Sequence, residues 1–153
     1  MEQLRWGTPE ALRGLLCELV SWHSMTLTEG EREFPGKVMA KLKELPYFRD
    51  NPINLKLNEA DLGRRFLTAL YNQKEVKDTI VLISHFDTVN TEEYGDLEPF
   101  AYQPEVLTNL LFDRMDELNG DAQVDLLSGQ YLFGRGTMDM KMGLAMHMGL
   151  LEK

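Results

Sequence analysis

The sequence predicts an α/β fold, a layered helix–sheet–helix arrangement around a mixed sheet. Three observations predict it. Leu12, Leu15, Leu16, Leu19 and Val20 recur at helical spacing and form one apolar stripe. Ile53, Leu55 and Leu57 alternate with polar residues, and TIVLIS (79–84) is a continuous apolar run, as in a strand buried on both faces. Helices and strand candidates then alternate along the chain, which is the order of a layered architecture.

The elements follow in order. Thr8 is placed to cap the first helix, and Pro9 suits its first position, where the missing N–H has no intrahelical partner. A polar link, SMTLTEGERE, precedes a second helix expected over Pro35 to Leu45, with Val38, Leu42 and Leu45 on one face. Pro46 and Pro52 bracket a loop. Three strands are expected next: the alternating residues around 53–57, then RRFLTALY, then TIVLIS. The last two are expected to pair as a hairpin across the polar turn NQKEVKD. One helix is expected in PEVLTNLLFDRMDELN, within an excursion between two core elements. QYLF reads as a short strand before GRGTMD, and a Met-rich helix closes the chain from about Met140 to Leu151.

The chain has 153 residues, a size that suits a single domain over 1–153. Hydrophobic residues make up 43 % and charged residues 27 %, which excludes collagen-like, low-complexity and disordered classes. Sixteen basic residues stand against 25 acidic ones, a net charge of −9. Such a chain repels phosphate backbones, so nucleic acid is not an expected partner, whereas cations are. Cys17 is the single cysteine, so no internal disulfide forms, in keeping with a cytoplasmic setting. No signal peptide or membrane-length apolar stretch is visible, so no membrane partner is expected.

Two motifs carry chemistry. In ISHFDTV, TIVLIS delivers His85 and Asp87 at its C-terminal end. Residues i and i+2 of an extended chain point to the same side, so both face one site, where α/β folds place ligands. The imidazole suits zinc, and the carboxylate suits the other ring nitrogen, fixing its tautomer. Taken alone, H-x-D is a short pattern that is better described as a loop histidine beside a turn aspartate. In LFGRGTMDMKMG, Gly134 and Gly136 permit tight backbone and close approach. Asp139 stands where loop becomes helix, placed either to cap that helix or to bind a metal, and Lys141 is placed to offset nearby negative charge. A phosphate loop is excluded, because the spacing is not G-x-x-x-x-G-K-[ST].

Together, HFDTV followed by GRGTMDMKMG resembles the di-zinc amidohydrolase and exopeptidase family. That family includes aminoacylase, acetylornithine deacetylase, succinyl-diaminopimelate desuccinylase and glutamate carboxypeptidase. The first amphipathic helix, SMTLTEGE and the hairpin leading into the His-x-Asp strand agree with it. MDMKMG, EEYGDLEPFAYQPE and the long excursion look most like its bacterial arginine-utilisation branch. The resemblance implies that His85 ligates one zinc, that Asp87 of the catalytic set orients His85, and that the Asp139 carboxylate bridges two zincs. It also implies a cis peptide after Asp139. A shared carboxylate reduces the repulsion between two neighbouring cations. Zinc is the implied cofactor, with cobalt and manganese as alternatives, since histidine plus carboxylate suits several metals.

The chain also departs from the family pattern. The family places a glutamate pair, another acidic residue and a distal histidine after the bridging aspartate, and one of those glutamates is its general base. Only 14 residues follow Asp139, and Glu152 is the one acidic residue among them. Glu92 and Glu93 precede Asp139 and read as a solvated loop. The chain is therefore expected to be the N-terminal part of a catalytic domain, inactive alone, completed by a C-terminal half or by a second copy. The other candidates read as structural. His147 and His23 suit packing or helix-surface roles, Cys17 is inert, and the methionines Met138, Met140, Met142, Met146 and Met148 suit a core rather than copper.

The leading expectation is thus a hydrolase of amide or peptide-like bonds in small carboxylate-bearing molecules, in amino-acid or arginine metabolism. The alternative is a non-catalytic, partner-binding remnant of the same fold, with two protein ligands leaving a zinc site incomplete.

Overall fold

A computed structural model describes residues 4–72, 74 and 77–152. Helix α1 spans Pro9–Ser21, and the Thr8 hydroxyl accepts from the Ala11 N–H at 3.2 Å, the expected cap. Helix α2 spans Glu29–Leu42, so it begins six residues before the expected Pro35. Its start obeys a capping-box signal that lies within the link, Thr28 followed by Glu31. The Thr28 hydroxyl accepts from the Glu31 N–H at 3.4 Å, and the buried Glu31 carboxylate reaches back to the Leu27 N–H. Pro35 sits inside α2, fully buried, where its packing outweighs its missing N–H. The expected loop after Pro46 contains a short helix, α3, Pro46–Asp50.

Strands β1, Leu55–Glu59, and β2, Arg65–Ala69, form an antiparallel hairpin with Leu55 opposite Ala69 and Leu57 opposite Leu67. The hairpin therefore joins the first two expected strands rather than the last two. The tight turn between them has Leu62 and Gly63 at φ 60° and 70°. The expected turn at 72–78 falls partly on residues 73, 75 and 76, which lie outside the described residues. TIVLIS is neither paired nor buried, with Ile80 87 % and Ile83 80 % exposed. A groove of about 520 Å³, lined in part by Phe66, Leu67, Ile80, Leu82, Leu144 and Met148, separates it from β2. A strand buried on both faces needs flanking strands and two helical layers, and none flanks this run among the described residues. QYLF is likewise unpaired, and the Phe133 N–H donates to the Thr108 hydroxyl instead.

The excursion holds two helices instead of one, α4 at Pro104–Phe112 and α5 at Gly120–Ser128. Asn119 caps α5 and the left-handed Gly129 ends it, both recognisable stop and start signals. Leu107, Leu111 and Leu126 make a small separate cluster there. A π-type turn, Thr137–Lys141, leads into helix α6, Met142–Leu150.

The main core joins α1 (Leu15, Leu16, Leu19, Val20), α2 (Phe34, Val38, Leu42) and α6 (Ala145, Met148), with Phe48 and Leu55. The methionines divide. Met148 is core and Met142 packs against it, whereas Met138 and Met146 are exposed, because the turn and one face of α6 point outward. No helix among the described residues is long and apolar enough to cross a membrane.

Candidate metal site

The link between α1 and α2 positions the first motif. The Thr88 N–H donates to the Ser24 carbonyl at 3.0 Å, and the Thr26 N–H donates to the Thr88 carbonyl at 3.0 Å. This is one parallel bridge, Met25 beside Thr88. The Ser24 hydroxyl also donates to the Phe86 carbonyl at 2.6 Å. Phe86 itself stacks on Phe34 of α2, with ring centroids 4.7 Å apart and planes 5° from parallel. His85 and Asp87 therefore flank a residue anchored both by backbone and by its ring.

The second motif meets the first through Gly136. Its φ is 78°, and a Cβ there would lie 2.9 Å from the Thr88 methyl. Only glycine suits both the left-handed backbone and the close approach. The Asp139–Met140 peptide is cis. Asp139 makes no capping bond to α6; its side chain is 86 % exposed and reaches His85.

The result is an imidazole held between two carboxylates. Asp87 Oδ1 lies 3.3 Å from His85 Nδ1, and Asp139 Oδ1 lies 2.7 Å from Nε2. The Thr26 hydroxyl donates to the second Asp87 oxygen, Oδ2, at 3.2 Å. Partial burial works against a charged His85 ring. The hydrogen bond and charge of Asp139, the charge of Asp87 and a backbone bond to Asp87 outweigh it, so the pKa is raised. A raised pKa means this protonation stabilises the fold fully below the unfolded value, about 6.5. The contribution is lost as pH rises through the folded value. Asp139→Asn removes the largest raising contribution. The ring is then expected to titrate at lower pH, closer to an ordinary histidine, as read by NMR of the ring protons.

Nε2 and the Asp139 carboxylate converge on one point, and Asp87 sits on the far side of the ring. That arrangement fits two ligands of a metal ion plus an orienting carboxylate. Among the described residues, no three His, Cys, Asp or Glu side chains converge as a ligand group. The described residues thus bring together one imidazole and two carboxylates.

The neighbouring residues have other work. The His147 Nδ1 and Ser84 Oγ lie 2.6 Å apart, a pair that local sequence does not reveal because 63 residues separate them. His23 stacks on Tyr102 at 4.1 Å, and burial together with the Lys141 and Lys37 charges pushes its pKa down. Burial pushes the Cys17 thiol pKa up, away from the reactive thiolate form. Glu93 pairs with Arg135 while staying largely exposed. Lys141 departs most from expectation. It is fully buried, and no carboxylate lies in ion-pair reach of it among the described residues, so it offsets no neighbouring charge. Burial pushes its pKa from 10.5 to about 7.

The chain is 40 % identical over 150 residues to "Uncharacterized protein YqjN" of Bacillus subtilis (strain 168), covering 98 % of this chain and 27 % of the relative. It is 31 % identical over 146 residues to "Protein RocB" of the same organism, covering 93 % of this chain and 25 % of the relative. It therefore spans about a quarter of the length of the curated relatives it matches. No family model matches the sequence. No solved structure matches it.

Proposed function

We propose that this chain supplies part of the metal centre of a hydrolase that cleaves amide or peptide-like bonds. The substrates are small carboxylate-bearing molecules of amino-acid or arginine metabolism. The observation that carries the reading is the bracketing of the His85 ring, Asp87 at Nδ1 and Asp139 at Nε2. The resemblance of HFDTV and GRGTMDMKMG to the di-zinc amidohydrolases supplies the reaction class. The same reading assigns 79–84 to the interior of a layered mixed sheet, in a cytoplasmic protein.

Each residue has a defined task. Asp87 would accept a hydrogen bond from Nδ1–H, so that neutral His85 would present its Nε2 lone pair to an ion in place of its hydrogen bond to Asp139. Asp139 would bring negative charge to the same point, and its exposed carboxylate would be open to more than one ion. Thr26 holds Asp87 in turn. Zinc fits this donor set, with cobalt and manganese as alternatives; when bound, the ion supplies Lewis-acid polarisation of the scissile carbonyl. Acid competes with the metal, because protonated His85 has no lone pair to offer.

The test uses a polypeptide of the relatives' length, with zinc content and turnover of N-acyl amino acids and dipeptides as readouts. His85→Ala and Asp139→Ala are each expected to lose both. Unchanged metal content and activity in both variants would contradict the assignment.

A second reading, a partner-binding module without catalysis, is favoured by one observation. Ile80, Val81, Leu82 and Ile83 are exposed together, and contiguous apolar surface of this kind marks interaction sites. It predicts no turnover of these substrates at any length of polypeptide.

A further inference from the structure

Lys141 closes the turn that carries Asp139, and its side chain is buried completely. Its Nζ donates to the Trp22 carbonyl at 2.8 Å. The ammonium also lies 4.8 Å from the Phe34 ring centroid and 5.9 Å from that of Tyr102. One carbonyl and two ring faces are weak compensation for a buried charge, which normally pairs with an anion. A methionine of similar length would fill the same space at lower cost.

The partner's location gives the lysine a purpose. Trp22 begins the link that also holds the first motif, through Ser24 and Thr26 against Phe86, Asp87 and Thr88. His85 and Asp139 are 54 residues apart in sequence. Both of their segments are pinned to one stretch of five residues, 22–26, one by backbone bonds and the other by the lysine.

We propose that Lys141 is a positioning residue, whose bond to the Trp22 carbonyl holds the Asp139 turn in register with His85. It touches neither metal nor substrate. Its effect on metal binding rests on the function proposed above; its effect on the turn does not.

The experiment compares this chain with Lys141→Met and His85→Ala variants. Three readouts are taken: thermal unfolding, zinc affinity by calorimetry, and amide hydrogen exchange of residues 139–141 without zinc. Lys141→Met is expected to unfold at the same temperature or higher, because a buried charge is removed. Its zinc affinity is expected to fall about 10–100-fold, the usual cost of losing an outer-shell support. Its 139–141 amides are expected to exchange faster than those of the parent. A variant that unfolds at lower temperature or fails to fold overturns the proposal, since the lysine would then be structural. Where the parent binds zinc through His85, equal affinity in the lysine variant also overturns it. Where His85→Ala binds as the parent does, the metal reading fails instead, and the zinc-free exchange decides: unchanged rates overturn the proposal and faster rates sustain it.

Discussion

His85→Ala is expected to abolish specific metal binding while leaving the fold intact. The ring is about half exposed, so its removal opens no cavity and unfolding should shift little. The chemical loss is large. Asp139 is left as a lone, largely exposed carboxylate, and Asp87 loses the group that it orients. Loss of an outer-shell partner alone costs about 10–100-fold in affinity. Loss of a direct ligand from a pair is expected to exceed that. Calorimetric titration with zinc checks it, and retained affinity would remove His85 from the site.

Phe34→Ala is expected to give the largest loss of stability. The ring is fully buried, stacks on Phe86, meets Trp22 edge-on at 5.6 Å and underlies the Lys141 ammonium. Truncating a buried phenylalanine costs about 3–5 kcal/mol, from lost transfer energy and the cavity left behind. For a domain of this size that corresponds to roughly 6–20 °C in unfolding temperature. The site should suffer beyond the lost stability. Phe86 separates His85 from Asp87, and without its stacking partner the His-x-Asp segment loses its ring anchor and keeps its hydrogen bonds to residues 24–26 and to Asp139. Zinc affinity is therefore expected to fall even where the variant is fully folded. A loss of stability without any effect on metal binding would show that core and site are independent.

The helices were legible where local signals dominate. Thr8 and Pro9 mark α1 because capping is decided within one turn. Thr28 and Glu31 mark α2 by the same chemistry, but Pro35 is the stronger and misleading signal, because a buried proline inside a helix depends on tertiary packing. Asn119 and Gly129 likewise bound α5 inside what reads as irregular excursion. Strand pairing was less legible. The alternation around 53–57 and RRFLTALY were both recognisable, yet which neighbour each strand takes depends on long-range contacts rather than on composition. TIVLIS shows the same limit: an apolar run states a preference for burial without saying what buries it.

The approach of the two candidate motifs to one another was more legible than the sheet. The i, i+2 geometry of His85 and Asp87 follows from extended backbone, and their 3.3 Å approach agrees with it. The Gly136 turn carries the second motif against the first, as glycine at a close approach suggests. Lys141 was not legible in this way. A lysine two residues from an aspartate reads as a surface counter-charge, and only the packing of Trp22, Phe34 and Tyr102 around it shows otherwise.

The most direct measurement is a zinc titration of this chain followed by nitrogen NMR of the His85 ring. The proposed site predicts that Nε2 takes on the shift of a metal-bound nitrogen while Nδ1 keeps its proton toward Asp87, with Asp139→Ala suppressing the change. A His85 ring that stays unperturbed as zinc saturates would contradict it.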